Sequence, residues 1–121
     1  MAKILVIDDA QDSRDFVKRA LGGEHEIFAI DNWLEIKDYL IKHDLDLVLL
    51  DVNMPGFKGD KVAEILLKGE NTKPLNIVLF SAMDEYALRQ KAQEVGVHGY
   101  ISKTFDEKLL RIRVRRFLKR K

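Results

Sequence analysis

The sequence of 121 residues contains no cysteine. A disulfide framework and a thiolate metal site are therefore both excluded. The histidines do not indicate a metal site either. His25, His43 and His98 are scattered along the chain, without the spacing of metal ligands. We assign none of them a catalytic role.

The chain also lacks a strong net charge and a long apolar run. Its formal net charge is +1, so bulk charge indicates no class of partner. No run approaches the roughly 18 apolar residues that cross a membrane. The N-terminal stretch MAKILVIDD has only the short apolar run ILVI before two acids, which is too short for a signal peptide. We therefore expect a cytoplasmic protein without a membrane partner.

What the chain does contain is five short runs rich in Ile, Val, Leu and aromatic residues. The central three are almost continuously apolar, which is typical of strands buried on both faces of a parallel sheet. The length of 121 residues suits one domain with one core, which we assign to residues 1–121. The predicted strands are KILVID (3–8), EIFAI (26–30), LVLL (47–50), NIVLFS (76–81) and GYIS (99–102).

A segment with helical spacing follows each predicted strand, and Gly96 is expected to cap the fourth helix. This alternation predicts an α/β fold: a doubly wound five-stranded parallel sheet of order 2-1-3-4-5 with helices on both faces, flavodoxin-like. The predicted inner faces are Phe16, Ala20 and Leu21; Leu34, Tyr39, Leu40 and Ile41; Val62, Ile65 and Leu66; Leu88, Ala92 and Val95; and Leu110, Val114, Phe117 and Leu118.

Polar residues stand at the carboxyl ends of four predicted strands. Asp8 and Asp9 end the first, Asp51 follows the third, Ser81 ends the fourth and Lys103 follows the fifth. In the order 2-1-3-4-5 these four strands are neighbours, so we expect the side chains to converge on one edge of the sheet.

Three clustered carboxylates repel one another unless a cation or raised pKa values allow them to coexist. Carboxylate oxygens are hard ligands of the kind that Mg²⁺ prefers. Two charges from Mg²⁺ and one from Lys103 would balance the three acids, and a phosphoryl group could then be accommodated. Asp51 is a plausible nucleophile, because carboxylates can form aspartyl-phosphates.

Four motifs in this order, ILVIDD, LVLLDVNMPG, VLFSA and GYISK, resemble the receiver domain of two-component response regulators. The resemblance covers the whole chain and implies a single-domain regulator similar to those of chemotaxis. It implies Mg²⁺-dependent phosphorylation of Asp51 by a histidine kinase or a phosphotransfer protein. Such a protein is a signalling phosphoacceptor rather than an enzyme, since it catalyses only its own phosphoryl transfer and autodephosphorylation.

The resemblance assigns the metal site residue by residue. Asp51 matches the phosphoacceptor and also a metal ligand. Asp8 and Asp9 match the acidic pair that holds Mg²⁺, with Asp9 the direct ligand and Asp8 acting mostly through water. Asn53 matches the position whose backbone carbonyl completes the site, and Pro55-Gly56 matches the turn that shapes its loop.

The resemblance also implies a switch. Ser81 matches the hydroxyl residue that hydrogen-bonds the phosphoryl group, and Lys103 matches the lysine that pairs with it. Tyr100 matches the aromatic residue that turns inward when the hydroxyl moves, so that a local charge change biases a two-state surface. In this family the residues at Asn53 and Met83 tend to tune the lifetime of the phosphorylated state.

Plainer roles stay open from the sequence alone. Asp8 and Asp9 could cap the first helix, and Ser81 could cap the fourth. Lys103 could be an ordinary surface lysine, and Tyr100 could be a core or half-exposed ring.

One residue departs from the family pattern. The family usually has proline after the lysine, joined by a cis bond, whereas this chain has Lys103-Thr104. A cis bond before a residue other than proline costs about 2.5–4 kcal/mol, so either the fold imposes it or the bond is trans and Lys103 is held differently.

The C-terminal stretch RIRVRRFLKRK holds seven Lys or Arg. It could be a solvated amphipathic helix whose cations suit its C-terminus. It could instead be a partner surface, since receivers commonly carry output on the face of the fourth helix, fifth strand and fifth helix, where a basic helix could meet an acidic protein. We expect no direct nucleic-acid contact, because no binding module is present. The downstream partner and a phosphorylation-dependent dimer stay open.

Two other functions are alternatives to a phosphorylated receiver domain. A phosphatase with an aspartate nucleophile would show the pattern DxDx(T/V), whereas this chain has DDAQ after the first strand and DVNM after the third. A pseudo-receiver would bind partners without phosphate, but loss of an acid would be expected there, and all the acids are present.

Overall fold

The computed structural model describes residues 1–54 and 75–119. The predicted third helix around residues 62–69 and the Pro55-Gly56 turn lie outside these residues. Helices are numbered here in the order in which they are described. The elements are β1 (Lys3–Ile7), α1 (Gln11–Leu21), β2 (Glu26–Ile30), a 3₁₀ turn (Trp33–Glu35), α2 (Ile36–Lys42), β3 (Leu47–Leu50), β4 (Asn76–Ser81), α3 (Glu85–Val95), β5 (Gly99–Ser102) and α4 (Glu107–Leu118).

The five strands form one parallel sheet in the order β2-β1-β3-β4-β5, which confirms the predicted topology. The register aligns Ile7 with Leu50 across β1 and β3, and Ser81 with Ser102 across β4 and β5. Neighbouring strands therefore end at nearly the same level. The residues that follow them are delivered to one edge.

The central strands are buried on both faces, as their continuous apolar runs predict. Successive side chains point to opposite faces, so alternate residues enter two different core clusters. In β3, Val48 and Leu50 pack toward α2 and α3, whereas Leu47 and Leu49 pack toward α1 and α4. Helices thus cover both faces of the sheet.

Three helices bury the faces that were predicted for them. Phe16 and Leu21 of α1 and Leu110 of α4 belong to one core cluster, and Leu88 of α3 belongs to the other. Gly96 ends α3 in the left-handed conformation, with φ of 85°, as expected of a C-cap glycine. No helix among the described residues is long and apolar enough to cross a membrane.

The predicted inner face of α2 is partly wrong. Leu34 and Ile41 are 73% and 80% exposed, while Ile36, which was not predicted to lie inside, is 4% exposed. The reason is a 3₁₀ turn at Trp33–Glu35, held at its start by Asn32, whose side-chain oxygen accepts a hydrogen bond from the Leu34 N–H. The α-helix begins only at Ile36, so its apolar face starts from a different residue.

Close contact between α4 and β5 requires a glycine in the strand. A Cβ atom built on Gly99 would lie 2.5 Å from Cε1 of Phe117. The Phe117 ring therefore lies directly against the backbone of β5. Asn76 adds a tie between β4 and the same helix by donating from its side-chain amide to the Phe117 carbonyl oxygen at 3.1 Å.

Candidate functional site

Backbone hydrogen bonds bring the polar residues together at the carboxyl edge of the sheet. The Asp51 N–H donates to the Ile7 carbonyl at 2.9 Å, which ties the end of β3 to the end of β1. The Lys103 N–H donates to the Ser81 carbonyl at 2.8 Å, which ties β5 to β4. The predicted convergence therefore follows from the parallel register.

The three predicted acids form one cluster. One carboxylate oxygen from each of Asp8, Asp9 and Asp51 lies within 4.8 Å of the other two. Asp8 is fully buried and Asp51 is 3% exposed, whereas Asp9 faces solvent. Two of the acids are therefore held in the interior, and the third stands at the mouth of the site.

Lys103 reaches into this cluster. Its Nζ lies 2.7 Å from Oδ2 of Asp8 and 3.4 Å from Oδ2 of Asp51. It also stands 5.6 Å from the centroid of the Phe80 ring, and its side chain is 22% exposed. Lys103 therefore contacts the acid cluster and is not a free surface lysine.

The environment of Asp8 favours its charged form. Burial alone would raise the pKa of this carboxyl, but hydrogen bonds from the Lys103 ammonium, from Ser13 and from the Ala10 N–H together outweigh burial and lower it. The Ala10 N–H donates to Oδ1 of Asp8 at 2.9 Å. Asp8 is thus a buried carboxylate that stays ionised.

Asp51 is shifted in the opposite direction. Burial raises the pKa of this carboxyl, and the neighbouring charge of Asp8 raises it further. The Asn53 N–H, which donates to Oδ1 of Asp51 at 2.9 Å, and the Lys103 charge only partly offset this effect. The two buried acids therefore differ in their tendency to hold a proton, because Lys103 stands closer to Asp8.

The cluster fits a hard divalent cation. Three acids and one ammonium leave an excess of negative charge within a few ångströms, and two of the acids have little access to water. Carboxylate oxygens without histidine or thiolate ligands favour Mg²⁺ over zinc or copper. Asp8, Asp9 and Asp51 are the residues that could hold such an ion.

Ser81 lies fully buried at the end of β4. Its Oγ accepts a hydrogen bond from Nδ2 of Asn53 at 3.1 Å and another from the Met83 N–H at 3.1 Å. The contact with the Asn53 side chain was not predicted, since the metal role expected of Asn53 concerns its backbone carbonyl. No pattern in the sequence signals a contact between residues 28 positions apart.

The helix-capping roles left open by the sequence are not observed. The N-cap of α1 is Ala10, without a side-chain cap, so neither Asp8 nor Asp9 caps that helix. The N-cap of α3 is Asp84, whose side chain accepts from the Ala87 N–H, so Ser81 does not cap α3.

The peptide bond between Lys103 and Thr104 is trans, since no bond among the described residues is cis. The trans bond nevertheless leaves Lys103 in contact with Asp8 and Asp51. Thr104 also has a role that proline lacks, because its Oγ1 accepts from the Asp106 N–H at 3.0 Å. Asp106 in turn caps α4 by accepting from the Leu109 N–H.

Tyr100, the predicted switch residue, makes its polar contact with α3 rather than with the acid cluster. Its ring is half-buried, and its hydroxyl lies 3.5 Å from Oε1 of Glu85 on α3. It lines a cleft of about 540 Å³ between α3, β5 and α4. The residues lining this cleft are Glu85, Tyr100, Ile101, Ser102, Arg113, Arg116 and Phe117.

Sequence reasoning also missed Arg14. Its Nη1 donates to the backbone carbonyl of Asp8 at 2.7 Å and so fixes the turn between β1 and α1. The residue lies in the first turns of α1, for which the sequence predicts only an apolar inner face. Nothing in the local pattern distinguishes Arg14 from the other surface cations of α1.

Comparison with known proteins shows the family to which the chain is similar. The family model described as the response regulator receiver domain matches residues 4–115. The chain is 36% identical to the sensory transduction protein LytT of Bacillus anthracis over its whole length, but it spans only 49% of that protein. It is 31% identical to the chemotaxis protein CheY-3 of Vibrio cholerae serotype O1, with 98% of this chain and 92% of that protein covered.

Solved structures agree in fold. A response regulator from Thermotoga maritima superposes with a TM-score of 0.84 at 22% identity, covering 98% of both chains. The chemotaxis response regulator CheY4 of Vibrio cholerae gives a TM-score of 0.82 at 24% identity, covering 97% of this chain and 98% of that one. At such identities the likeness concerns the fold alone.

Proposed function

Because this chain belongs to the family of response regulator receiver domains of two-component systems, we propose that it is a cytoplasmic phosphoacceptor domain modified on Asp51. The phosphodonor is a histidine kinase or a phosphotransfer protein. The domain acts as a signalling switch rather than as an enzyme on an external substrate. The chain spans about half of relatives such as LytT. Where it is likewise part of a longer protein, the regulated activity is that of the longer protein.

One observation carries this proposal: Asp51 lies in a buried cluster with two further acids and an ammonium group. Oδ2 of Asp51 is 3.4 Å from Lys103 Nζ, and the cluster with Asp8 and Asp9 fits a divalent cation. A receiver that had lost phosphorylation would have no physical reason to keep three acids together, since their repulsion costs stability. The pseudo-receiver alternative is therefore disfavoured.

Each side chain has a definite task in the proposed reaction. Asp8 and Asp9, together with Asp51 and the backbone carbonyl of Asn53, would hold Mg²⁺. When bound, this ion supplies positive charge that offsets the charge of the transferred phosphoryl group.

Asp51 attacks the phosphorus atom through a carboxylate oxygen, and the bond from phosphorus to the donor nitrogen or oxygen breaks. Lys103 pairs with the incoming phosphoryl oxygens, and Ser81 donates a hydrogen bond to one of them. The parallel register brings these side chains to one edge before transfer, which limits the reorganisation that the proposed reaction needs.

The switch surface is the cleft between α3, β5 and α4. Ser81 and Tyr100 lie on adjacent strands, and the Tyr100 ring borders both the inner core and the cleft. We assign the output to a movement of Ser81 that follows phosphoryl transfer, draws Ser81 toward the phosphoryl group, lets Tyr100 turn inward and reshapes this cleft. Arg113 and Arg116 make the cleft basic, which favours an acidic protein partner.

The direct test is intact-protein mass after incubation with acetyl phosphate, with and without Mg²⁺. A gain of about 80 Da that requires Mg²⁺ is expected for an aspartyl-phosphate. Asp51→Asn should show no gain. Asp46→Asn is a matched control, because Asp46 lies at the opposite end of β3 and bonds the Lys3 N–H there.

The outcomes separate the alternatives. A gain that persists in Asp51→Asn would show that another residue accepts the phosphoryl group. Absence of any gain in folded wild-type protein, with either acetyl phosphate or a phosphorylated histidine donor, would favour the pseudo-receiver.

A further inference from the structure

Asn53 contacts two of the groups that are proposed to act on the phosphoryl group. Its backbone N–H donates to Oδ1 of Asp51 at 2.9 Å, and its side-chain Nδ2 donates to Oγ of Ser81 at 3.1 Å. Ser81 also accepts from the Met83 N–H at 3.1 Å. A continuous chain of hydrogen bonds therefore runs from Asp51 through Asn53 and Ser81 to Met83.

The limited hydrogen-bonding capacity of a hydroxyl group determines what Ser81 can still do within this series of hydrogen bonds. A serine hydroxyl has two acceptor lone pairs and a single proton. The amide of Asn53 and the N–H of Met83 occupy both lone pairs of Ser81. The proton is then the one remaining hydrogen-bonding capacity of Ser81, and its direction is fixed by the two bonds already made.

We propose that the Asn53 side chain is a positioning residue that orients Ser81 as a hydrogen-bond donor toward the phosphoryl group on Asp51. The inference rests on the proposed phosphorylation of Asp51 and adds to it a role for a side chain. It is separate from the metal role of Asn53, which concerns only the backbone carbonyl.

Burial makes this orientation effective. Ser81 has no exposed surface, so water does not compete for its lone pairs. Asn53 itself is exposed, yet its backbone is fixed by the bond to Asp51. The same residue thus sets the position of the acceptor carboxylate and the direction of the hydroxyl proton, and this prearrangement favours the transition state without a search among hydroxyl rotamers.

A double-mutant cycle on the phosphorylation rate tests the inference. Asn53→Leu keeps the approximate size of the side chain and removes its donor. In wild-type background it should slow phosphorylation by acetyl phosphate about threefold to tenfold, the range expected for one neutral hydrogen bond. In the Ser81→Ala background the same substitution should change the rate by less than about 1.5-fold, because its target is gone. Asn76→Leu, a matched replacement far from this edge of the sheet, should leave the rate unchanged.

A second measurement is independent of phosphorylation. The NMR signals of the Asn53 side-chain amide should shift in Ser81→Ala and stay close to wild type in Ser81→Thr, which keeps the hydroxyl. Unchanged signals in Ser81→Ala would overturn the contact itself. Equal slowing by Asn53→Leu in both backgrounds, or no slowing in either, would overturn the positioning role. Wild-type protein that accepts no phosphoryl group would instead overturn the proposed function, and the NMR result would still decide whether the contact exists.

Discussion

Lys103 Nζ lies 2.7 Å from Oδ2 of Asp8 and is closer to this acid than to Asp51, the proposed phosphoacceptor. Lys103 follows β5 and Asp8 follows β1, so the ion pair spans the width of two intervening strands. The lysine thereby stabilises the carboxylate of Asp8, which would hold the metal, and it lies beside Asp51. Its ammonium group also takes up space next to the acids and would repel a bound cation.

Replacing this lysine should strengthen cation binding. In Lys103→Gln the ammonium group that repels Mg²⁺ and pairs with Asp8 is gone, so we expect affinity for Mg²⁺ to rise about threefold to thirtyfold. Isothermal titration calorimetry of the unphosphorylated protein measures this. Lys108→Gln, at an exposed lysine of α4, is the matched control. An affinity equal to or lower than that of wild type would contradict the assigned role.

The acceptor carboxylate should cost stability in the absence of a cation. Burial and the charge of Asp8 raise the pKa of Asp51, so its ionised form weakens the folded state. Asp51→Asn should therefore increase the free energy of unfolding by about 1–2 kcal/mol near neutral pH without divalent ions.

The pH dependence of this gain follows from the direction of the shift. The unfolded chain loses the Asp51 proton near the ordinary value of 3.8, and the folded chain loses it at higher pH. The advantage of Asp51→Asn is thus complete above the raised pKa and disappears as the pH falls toward 3.8. Urea unfolding at several pH values in EDTA measures it, and a variant less stable than wild type at neutral pH would refute the prediction.

Thr104 should contribute to stability but not to chemistry. Thr104→Ala removes the acceptor of the Asp106 N–H before α4, so we expect a loss of about 0.5–1 kcal/mol in the free energy of unfolding. Thr104→Ser keeps the acceptor and should retain most of that stability. The phosphorylation rate should stay the same in both variants, because Lys103 is held by its own contacts. A rate that falls in parallel with stability would show that the loop positions Lys103.

His25 should make the amino edge of the sheet sensitive to acid. Its Nδ1 accepts a hydrogen bond from the Ala2 N–H at 3.1 Å, which requires that nitrogen to be unprotonated. Burial lowers the pKa of His25 from 6.5, and the charge of Glu24 opposes this only in part.

The unfolded chain therefore takes up the proton first as the pH falls, and stability that is complete above about 6.5 is lost below it. Between pH 7.5 and 5.5, wild type should lose up to about 1 kcal/mol more than His25→Gln. Chemical unfolding at both pH values checks this. Equal losses of unfolding free energy in the two proteins would show that the acid sensitivity comes from groups other than His25.

The sequence was sufficient to predict what depends on strand register. Asp8, Asp51, Ser81 and Lys103 each follow an apolar run, and parallel pairing brings the ends of such runs to one edge. The topology, the two-sided core and the acid cluster were therefore predictable from periodicity and from the order of the motifs.

What could not be predicted depends on side-chain direction and on short irregular segments. The inner face of α2 was misassigned because the 3₁₀ turn at Trp33–Glu35 delays the start of the helix. The contacts of Asn53 with Ser81 and of Arg14 with Asp8 join residues whose sequence spacing carries no periodic signal. The trans bond before Thr104 is the ordinary form before a residue other than proline, but the sequence alone did not show that Lys103 would still reach Asp8 and Asp51.

The contact between Gly99 and Phe117 means that substitutions at these two positions depend on each other. Because a methyl group at position 99 would overlap the ring at position 117, a side chain can be accepted in the strand only if the helix residue becomes smaller or turns away. A library that varies position 99 alone would therefore return mostly glycine, whereas one that varies both positions together would open new shapes for the cleft that the ring borders. Redesign of the proposed partner surface should begin with that pair rather than with the arginines around it.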